Sequence, residues 1–344
     1  MNRPLFGSDN YSGVHPEIMD AIVGANEGSC LAYGIGPWTY AGEKAALSAF
    51  GAPGTAFLTV NGTGTNIFAL AMLLRSWEGV LCATSAHINT DETGAIEHVL
   101  SKKLVTIPTD DGKLTVDMIE PYLNFGNQHH IVTRVLSISN LTELGTAYTP
   151  EEIRTLADFA HDHGMYVHLD GSRVSNAAAE QGVTIAELTG LAGVDALSLG
   201  ATKNGAMCAE AVVFSEAIDA TYGPQVRKQN LQLLSKSRFL GVQLSAMYGT
   251  DLWKRCATAA NSAARAVEEG LLALGIHARY ERGGNELFVA VPSHLTEPFE
   301  ETFGVHLWEP RVTPDTDVVR IVTAFDTTDE DVAVLLDWVA ERLG

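Results

Sequence analysis

The sequence predicts an α/β protein with a mostly parallel central sheet flanked by helices and a smaller C-terminal α+β unit. Three observations carry this. Short apolar, β-branched runs alternate with longer amphipathic stretches as far as about residue 250. The 32 glycines fall largely in short runs between those stretches, the punctuation of tight strand–helix turns. Beyond that point the alternation gives way to one long Ala-rich helical stretch and a few isolated apolar runs.

Taken in order, strands are expected at 56–60, 80–83, 103–107, 134–139, 166–170, 196–199 and 210–214. Helical patterns fall between them at 65–75, 115–123, 150–163 and 185–190. The third has a full start signal: Thr149 as N-cap, Pro150 at the first helical position, and Glu151 and Glu152 in the first turn. A long helix follows at 252–274, then apolar runs at 287–291 and 318–323 separated by a polar segment. A capping-box pair, Thr327 with Glu330, opens a final helix ending near 343, with Val332, Leu335, Leu336 and Val339 as its apolar stripe. The expected organisation is an N-terminal segment (1–20), a large α/β domain (21–250) and a small domain (251–344).

The chain has 344 residues, with 22 Lys and Arg against 42 Asp and Glu, a net charge of −20. That balance argues against nucleic-acid partners, which need a basic footprint, and against docking on an anionic membrane. Charged residues are 19%, below the average of about 25%, and apolar residues 46%, which places the chain among ordered globular proteins. There is no apolar run of about 18 residues to span a membrane. The N-terminus lacks the apolar core of a signal peptide. Cys30, Cys82, Cys208 and Cys256 form neither a C-x-x-C pair nor a zinc pattern. A reduced, cytoplasmic setting and no bound metal are expected.

Three stretches could carry chemistry. Asn61-Gly62-Thr63-Gly64-Thr65-Asn66 follows a strand and opens a helix, as a cup of backbone N–H groups for a phosphate or as a plain tight turn. His168-Leu169-Asp170-Gly171-Ser172-Arg173 ends a buried strand in an acid, where a cationic ring nitrogen or a metal could meet it, or where it only caps a turn. Thr202-Lys203-Asn204-Gly205 puts a lysine in the loop after another strand, as a Schiff-base former or a surface side chain. Together the three supply what pyridoxal phosphate requires: an anion cup, a carboxylate for the pyridine nitrogen and an amine for the aldehyde.

The sequence resembles the fold-type-I pyridoxal-phosphate enzymes, and within them the low-specificity threonine aldolase group with its phenylserine-aldolase-like members. The resemblance rests on FGSDNYSGVHPE (6–17), AYGIGPWT (32–39), NGTGTN (61–66), AHINTDETGA (86–95), HLDGSRVSNA (168–177), GATKNGAMCAEA (200–211), SKSRFLGVQ (235–243) and RIVTAFDT (320–327). It implies that Lys203 forms the Schiff base, beside Thr202, and that Asp170 pairs with the pyridinium nitrogen. It further implies that His87 lies against the cofactor ring and that Gly62, Thr63 and Gly64 hold the phosphate. Arg238 would approach the phosphate across a subunit interface. Ser8, Arg173 and Arg320 would hold the substrate carboxylate, with His129 near the β-hydroxyl and Tyr33 reaching the site. Asp91 and Glu92 follow His87 as acids behind it or as a solvated patch. The chain departs from some relatives at Gly64 and Thr65, and carries Ser172 where Ala is common.

The implied reaction is retro-aldol cleavage of an L-β-hydroxy-α-amino acid to glycine and an aldehyde, with His87 or His129 taking the hydroxyl proton. The rivals are a β-eliminating lyase releasing pyruvate and ammonia, and a catalytically silent relative. A homodimer or homotetramer with sites at subunit interfaces is expected, its small-molecule sites forming cationic pockets in an acidic shell.

Overall fold

The computed structural model describes residues 3–123 and 127–343, so residues 1, 2 and 344 of the expected terminal segments lie outside the described residues. Seven strands build the main sheet: β1 (Gly54–Thr59), β2 (Glu78–Ala83), β3 (Leu104–Ile107), β4 (Val132–Ser139), β5 (Tyr166–Gly171), β6 (Ala196–Gly200) and β7 (Glu210–Ser215). Their order is β1-β7-β6-β5-β4-β2-β3, parallel except that β7 runs against both its neighbours.

The pleat sends alternate residues to opposite faces. Leu81, Leu136, Leu169, Leu197 and Val213 enter one core, shared with the helices Pro37–Phe50 and Pro150–Asp162. Val80, Cys82, Val135, Val212 and Phe214 enter a second, covered by the helix Gly62–Leu73. In that core Phe57, Phe68 and Phe214 meet edge-on, with ring centroids 5.5 to 6.2 Å apart. Burial on both faces is why these strands read as near-continuous apolar runs.

The C-terminal part forms an antiparallel sheet, β8-β10-β9, from β8 (Glu286–Pro292), β9 (His306–Thr313) and β10 (Thr316–Val322). Its own core gathers Leu287, Val289, Phe299, Val319, Ile321 and Leu335. The helix Leu252–Ala273 ties the two parts together: Leu252 and Cys256 lie in the large core, Val267 and Leu271 in the small one. Phe6 joins the small core, and its backbone bonds Phe303 and Val322, which fastens the N-terminal segment to this sheet. Among the described residues no helix is long and apolar enough to cross a membrane.

Several local expectations shift. The stretch 115–123 is a helical turn, Val116–Ile119, followed by a 3₁₀ turn, Glu120–Tyr122, because Pro121 cannot continue the ladder. The stretch 185–190 forms only 3₁₀ turns, Ala186–Leu188 and Gly190–Ala192, the second ended by Gly193 in the left-handed region. The final helix is capped one residue later than expected. Thr328 and Asp331 exchange the two box bonds, at 2.9 and 3.1 Å, while the Thr327 hydroxyl accepts from the Ala324 amide. The polar segment after 291 contains β9, an edge strand whose mostly solvent-facing side chains hide its pattern. The helices Pro16–Ala25, Pro37–Phe50, Val174–Gln181 and Arg238–Tyr248 lie beyond the expected set.

Candidate active site

Because β7 is reversed, its first residue shares an edge with the carboxyl ends of β1, β4, β5 and β6. Glu210 lies opposite Thr59 and Gly200, and Asp170 opposite Ser139 and Ser198. A cavity of about 310 Å³ opens there, lined among others by Gly62, Thr63, His87, Asp170, Thr202 and Lys203.

The cup forms where β1 hands over to the helix Gly62–Leu73. That helix starts three residues earlier than expected because Asn61 caps it, its Oδ1 accepting from the Gly64 amide at 2.8 Å. The Gly62 and Thr63 amides are the first two of the helix and have no carbonyl a turn back to accept them. A Cβ at Gly62 would meet nothing nearer than Ser172 Oγ at 3.9 Å, so the missing side chain opens onto the cavity. Gly64 differs. Its amide is spent on Asn61, and a Cβ there would lie 1.9 Å from Gln232 Nε2. Gln232 needs that room to accept from the Val60 amide at 3.0 Å. Gly64 therefore makes space for a distant side chain, outside the cavity lining.

Asp170, next to last in β5, is almost fully buried. Its Oδ1 accepts from the Ser172 amide and hydroxyl at 3.0 and 2.7 Å, its Oδ2 from Asn66 Nδ2 at 2.8 Å. Burial would push the carboxyl up, but the His87 charge, these hydrogen bonds and the Lys203 ammonium outweigh it and hold it at about 2. Asn66 sits one helical turn beyond Gly62, on the same face. Its Nδ2 also donates to Glu92 Oε1 at 2.8 Å, and the same oxygen meets His87 Nδ1 at 2.8 Å. The Glu92 hydrogen bond raises the His87 pKa despite partial burial. Among the described residues, His87, Glu92 and Asp170 are the one group of acids and imidazoles close enough to hold a metal ion. The Asn66 amide donates to both carboxylates and links the group into a continuous hydrogen-bonded chain.

Lys203 lies in the 3₁₀ turn Thr202–Asn204 between β6 and β7. Three anchors hold the turn. Asn204 Nδ2 donates to Trp253 O at 2.9 Å, the Ala201 amide donates to Glu210 Oε2 at 2.9 Å, and Thr202 Oγ1 donates to Glu210 Oε1 at 2.5 Å. Burial pushes Glu210 up to about 7 against these two bonds. Beside the cavity a recess of about 30 Å³ is lined by Arg173, Glu143 and Ser139 together with His87, Asp170 and Lys203. Glu143 Oε1 accepts from the His87 amide at 2.9 Å and Ser139 Oγ at 2.7 Å, and burial raises its carboxyl to about 7.

Arg173 is held by two acids. Its Nε and Nη2 donate to the two oxygens of Asp9 at 2.7 and 3.0 Å, and its Nη1 lies 3.2 Å from Glu286 Oε2. Asp9 belongs to the turn Asp9–Tyr11, whose cap is Ser8, with Oγ accepting from the Asn10 amide at 3.1 Å. Arg320, on β10, donates through Nη2 to Gly7 O at 3.2 Å and lies over the Trp308 ring. Both arginines thus meet the segment Gly7–Asp9.

Ser8 and Arg320 line neither the cavity nor the recess, and three further expected residues lie outside both. Tyr33 is 60% exposed and its backbone amide bonds Ser235 O. Arg238 donates to the carbonyls of Ala25, Glu27 and Gly28. His129 is exposed, with its amide bonded to Asn127 Oδ1. Asn66, Glu143 and Glu210 line or support the site without having been singled out. Only the position of Asn66 one turn beyond the cup was a usable signal.

The family model described as beta-eliminating lyase matches residues 6–296. The chain is 35% identical to a low specificity L-threonine aldolase of Pseudomonas aeruginosa, over 96% of this chain and 95% of that one. A solved structure of Leishmania major threonine aldolase matches with a TM-score of 0.93 at 28% identity, covering 99% of this chain and 100% of that chain. Sphingomonas wittichii serine palmitoyltransferase, 16% identical, shares the fold with a TM-score of 0.73, covering 98% and 86%. The architecture is that of the fold-type-I pyridoxal-phosphate enzymes, and the chain belongs to the beta-eliminating lyase family, alongside the low specificity threonine aldolases.

Proposed function

We propose that this protein is a pyridoxal-phosphate-dependent aldolase that cleaves L-β-hydroxy-α-amino acids of the threonine, allo-threonine or phenylserine type to glycine and an aldehyde. The observation that carries the reading is the chain Asp170–Asn66–Glu92–His87 sharing one cavity with Lys203 and the open Gly62–Thr63 cup. The cofactor's donor set is present: free amides for the phosphate, an ionised buried acid for the ring nitrogen and an amine for the aldehyde. When bound, the cofactor supplies an electron sink for the pair released as the Cα–Cβ bond breaks.

The protein's own groups do the rest. Gly62 and Thr63 hold the phosphate, and Lys203, with Thr202 beside it, holds the aldehyde carbon. Asp170 keeps its charge and favours a protonated ring nitrogen. Glu92 binds the Nδ1 edge of His87, which leaves Nε2 to accept the β-hydroxyl proton, directly or through a water. Arg173, its fork aimed by Asp9, holds the substrate carboxylate with Arg320 and Ser8.

The same reading makes the protein a cytoplasmic homodimer or homotetramer with the division 1–20, 21–250 and 251–344. Support for assembly comes from an apolar surface beside the site: Leu31, Tyr33, Ile35, Tyr222 and Leu231 are exposed, Leu231 at 86%. Two chain segments that carry these residues are joined by the Tyr33–Ser235 backbone bond, and Gln232, next to Leu231, reaches the cup. Arg238 approaches the phosphate across that interface, Tyr33 reaches the site from the same surface, and His129 lies near the β-hydroxyl.

The test is incubation with pyridoxal phosphate and L-threonine, L-allo-threonine or phenylserine. Glycine and the matching aldehyde are expected in equal amounts. Pyruvate and ammonia would replace the reading with β-elimination.

A further inference from the structure

We propose that Glu286 is a positioning residue that competes with the amino acid's α-carboxylate for Arg173 and so weakens the grip on substrate and product. The inference rests on the reading of Arg173 as the carboxylate clamp.

Arg173 has five N–H donors in a rigid fork. Asp9 takes one edge, Nε with Nη2, in two short bonds, and Asp9 is itself held by Asn285 Nδ2 at 3.2 Å. Glu286 approaches the remaining nitrogen, with Oε2 3.2 Å from Nη1, yet this oxygen is buried and has no aligned hydrogen-bond partner. The contact is therefore Coulombic without a well-formed hydrogen bond. A bound carboxylate that aligns with the open edge can replace it at little cost in hydrogen bonding. Glu286 is 2% exposed, so water does not screen its charge.

Charge points the same way. Asp9 and Glu286 set two buried carboxylates against the one guanidinium of Arg173. A substrate carboxylate thus meets an arginine whose charge is already countered. With Glu286 uncharged, one of those countercharges is gone and Arg173 attracts the ligand carboxylate more strongly. Glycine carries the same carboxylate as the substrate, so a stronger clamp would hold both alike. Such uniform binding adds nothing to the chemical step and slows release. Glu286 opens β8 at the register of Val322, immediately after the residue that fixes Asp9. Neighbouring residues of the small sheet thus reach the locked and the open side of one guanidinium.

The experiment titrates the holoenzyme with glycine, followed by the absorbance of the bound cofactor, for the wild type, E286Q, E286D and R173K. E286Q is expected to tighten glycine about tenfold and to lower KM for the β-hydroxy-amino acid, with kcat moving less. E286D, which withdraws the carboxylate by one methylene, shifts the same way by less and serves if E286Q does not fold. Glycinamide, which lacks the carboxylate, should not bind more tightly to either variant. If both Glu286 variants leave glycine binding unchanged or weaken it while R173K also weakens it, Glu286 is a structural counter-ion and the proposal fails with the clamp intact. If R173K leaves glycine binding unchanged, the clamp itself is wrong and the proposal falls with it. Tighter glycinamide binding to E286Q would also overturn it.

Discussion

The two halves of the site are built differently. The proposed cofactor half comes from strand–turn units of one sheet: Gly62 and Thr63 after β1, His87 after β2, Asp170 near the end of β5 and Lys203 after β6. Each side chain is placed by its own strand end, and the Asp170–His87 hydrogen-bond chain closes among them. The carboxylate half is assembled from Gly7–Asp9, Arg173, Asn285–Glu286 and Arg320, which meet only because Phe6 is pinned to the small sheet. The first half is fixed by the main sheet, its turns and the anchor of Asn204 on Trp253. The second exists only while the small sheet and the N-terminal segment hold their positions, so under the proposed roles it is the half in which substrate affinity can be tuned without disturbing cofactor binding.

The sharpest way to break this contrast is in the cofactor half. Lys203→Ala is expected to abolish turnover and the absorbance of the lysine-bound cofactor at about 420 nm. A surviving band would remove Lys203 from the scheme. Glu92→Gln comes next. The glutamine side chain can still bond His87 but no longer favours its charge, and a drop in kcat of about 10²-fold is expected, with substrate KM little changed because Glu92 belongs to the other half. The pH–rate limb assigned to His87 should also move to lower pH, since its raised pKa comes first from Glu92. An unmoved limb would mean that another group titrates. Gly62→Ala is milder: the new methyl meets no protein atom closer than 3.9 Å, so the fold should be unharmed, while cofactor Kd rises about tenfold from filling the cup. Unchanged cofactor affinity, measured on apoenzyme by equilibrium titration, would place the phosphate elsewhere.

The same contrast decides what was legible in the sequence. The large sheet was readable because strands buried on both faces are apolar throughout, and each cofactor residue follows such a run directly. Gly64 shows the limit. Its sequence context is identical in kind to that of Gly62, yet its missing Cβ serves Gln232, 168 positions along the chain, a contact that no local pattern encodes. The partners of Arg173 are as remote: Asp9 and Glu286 lie in different elements, and nothing in the residues near 173 announces two buried acids. β9 escaped because an edge strand with both faces largely in solvent has no apolar alternation to detect. The cap at Thr328 was displaced by one position because Thr327 and Thr328 each precede an acid at the box spacing. Geometry alone selects the second.

The smallest expected effect concerns Glu143, which touches both halves: its carboxyl holds the His87 amide and lines the recess that Arg173 shares. Both its hydrogen bonds fall on one oxygen, so Glu143→Gln can keep them through its carbonyl and lose only the charge. Burial raises this carboxyl to about 7 in the folded protein, above the ordinary range near 4.5 that it regains on unfolding. The folded state therefore binds the proton more tightly. Its contribution is fully present below about pH 4.5 and is lost as pH rises through about 7. At pH 8 the wild type bears the cost of a buried charge that the glutamine variant lacks. Discounted for partial exposure, E143Q is expected to be about 1 kcal/mol more stable than wild type at pH 8 and equal to it near pH 4.5, by denaturant unfolding at both pH values. Equal stability at both would show that the charge is solvated, and that the boundary between the two halves is wetter than its geometry implies.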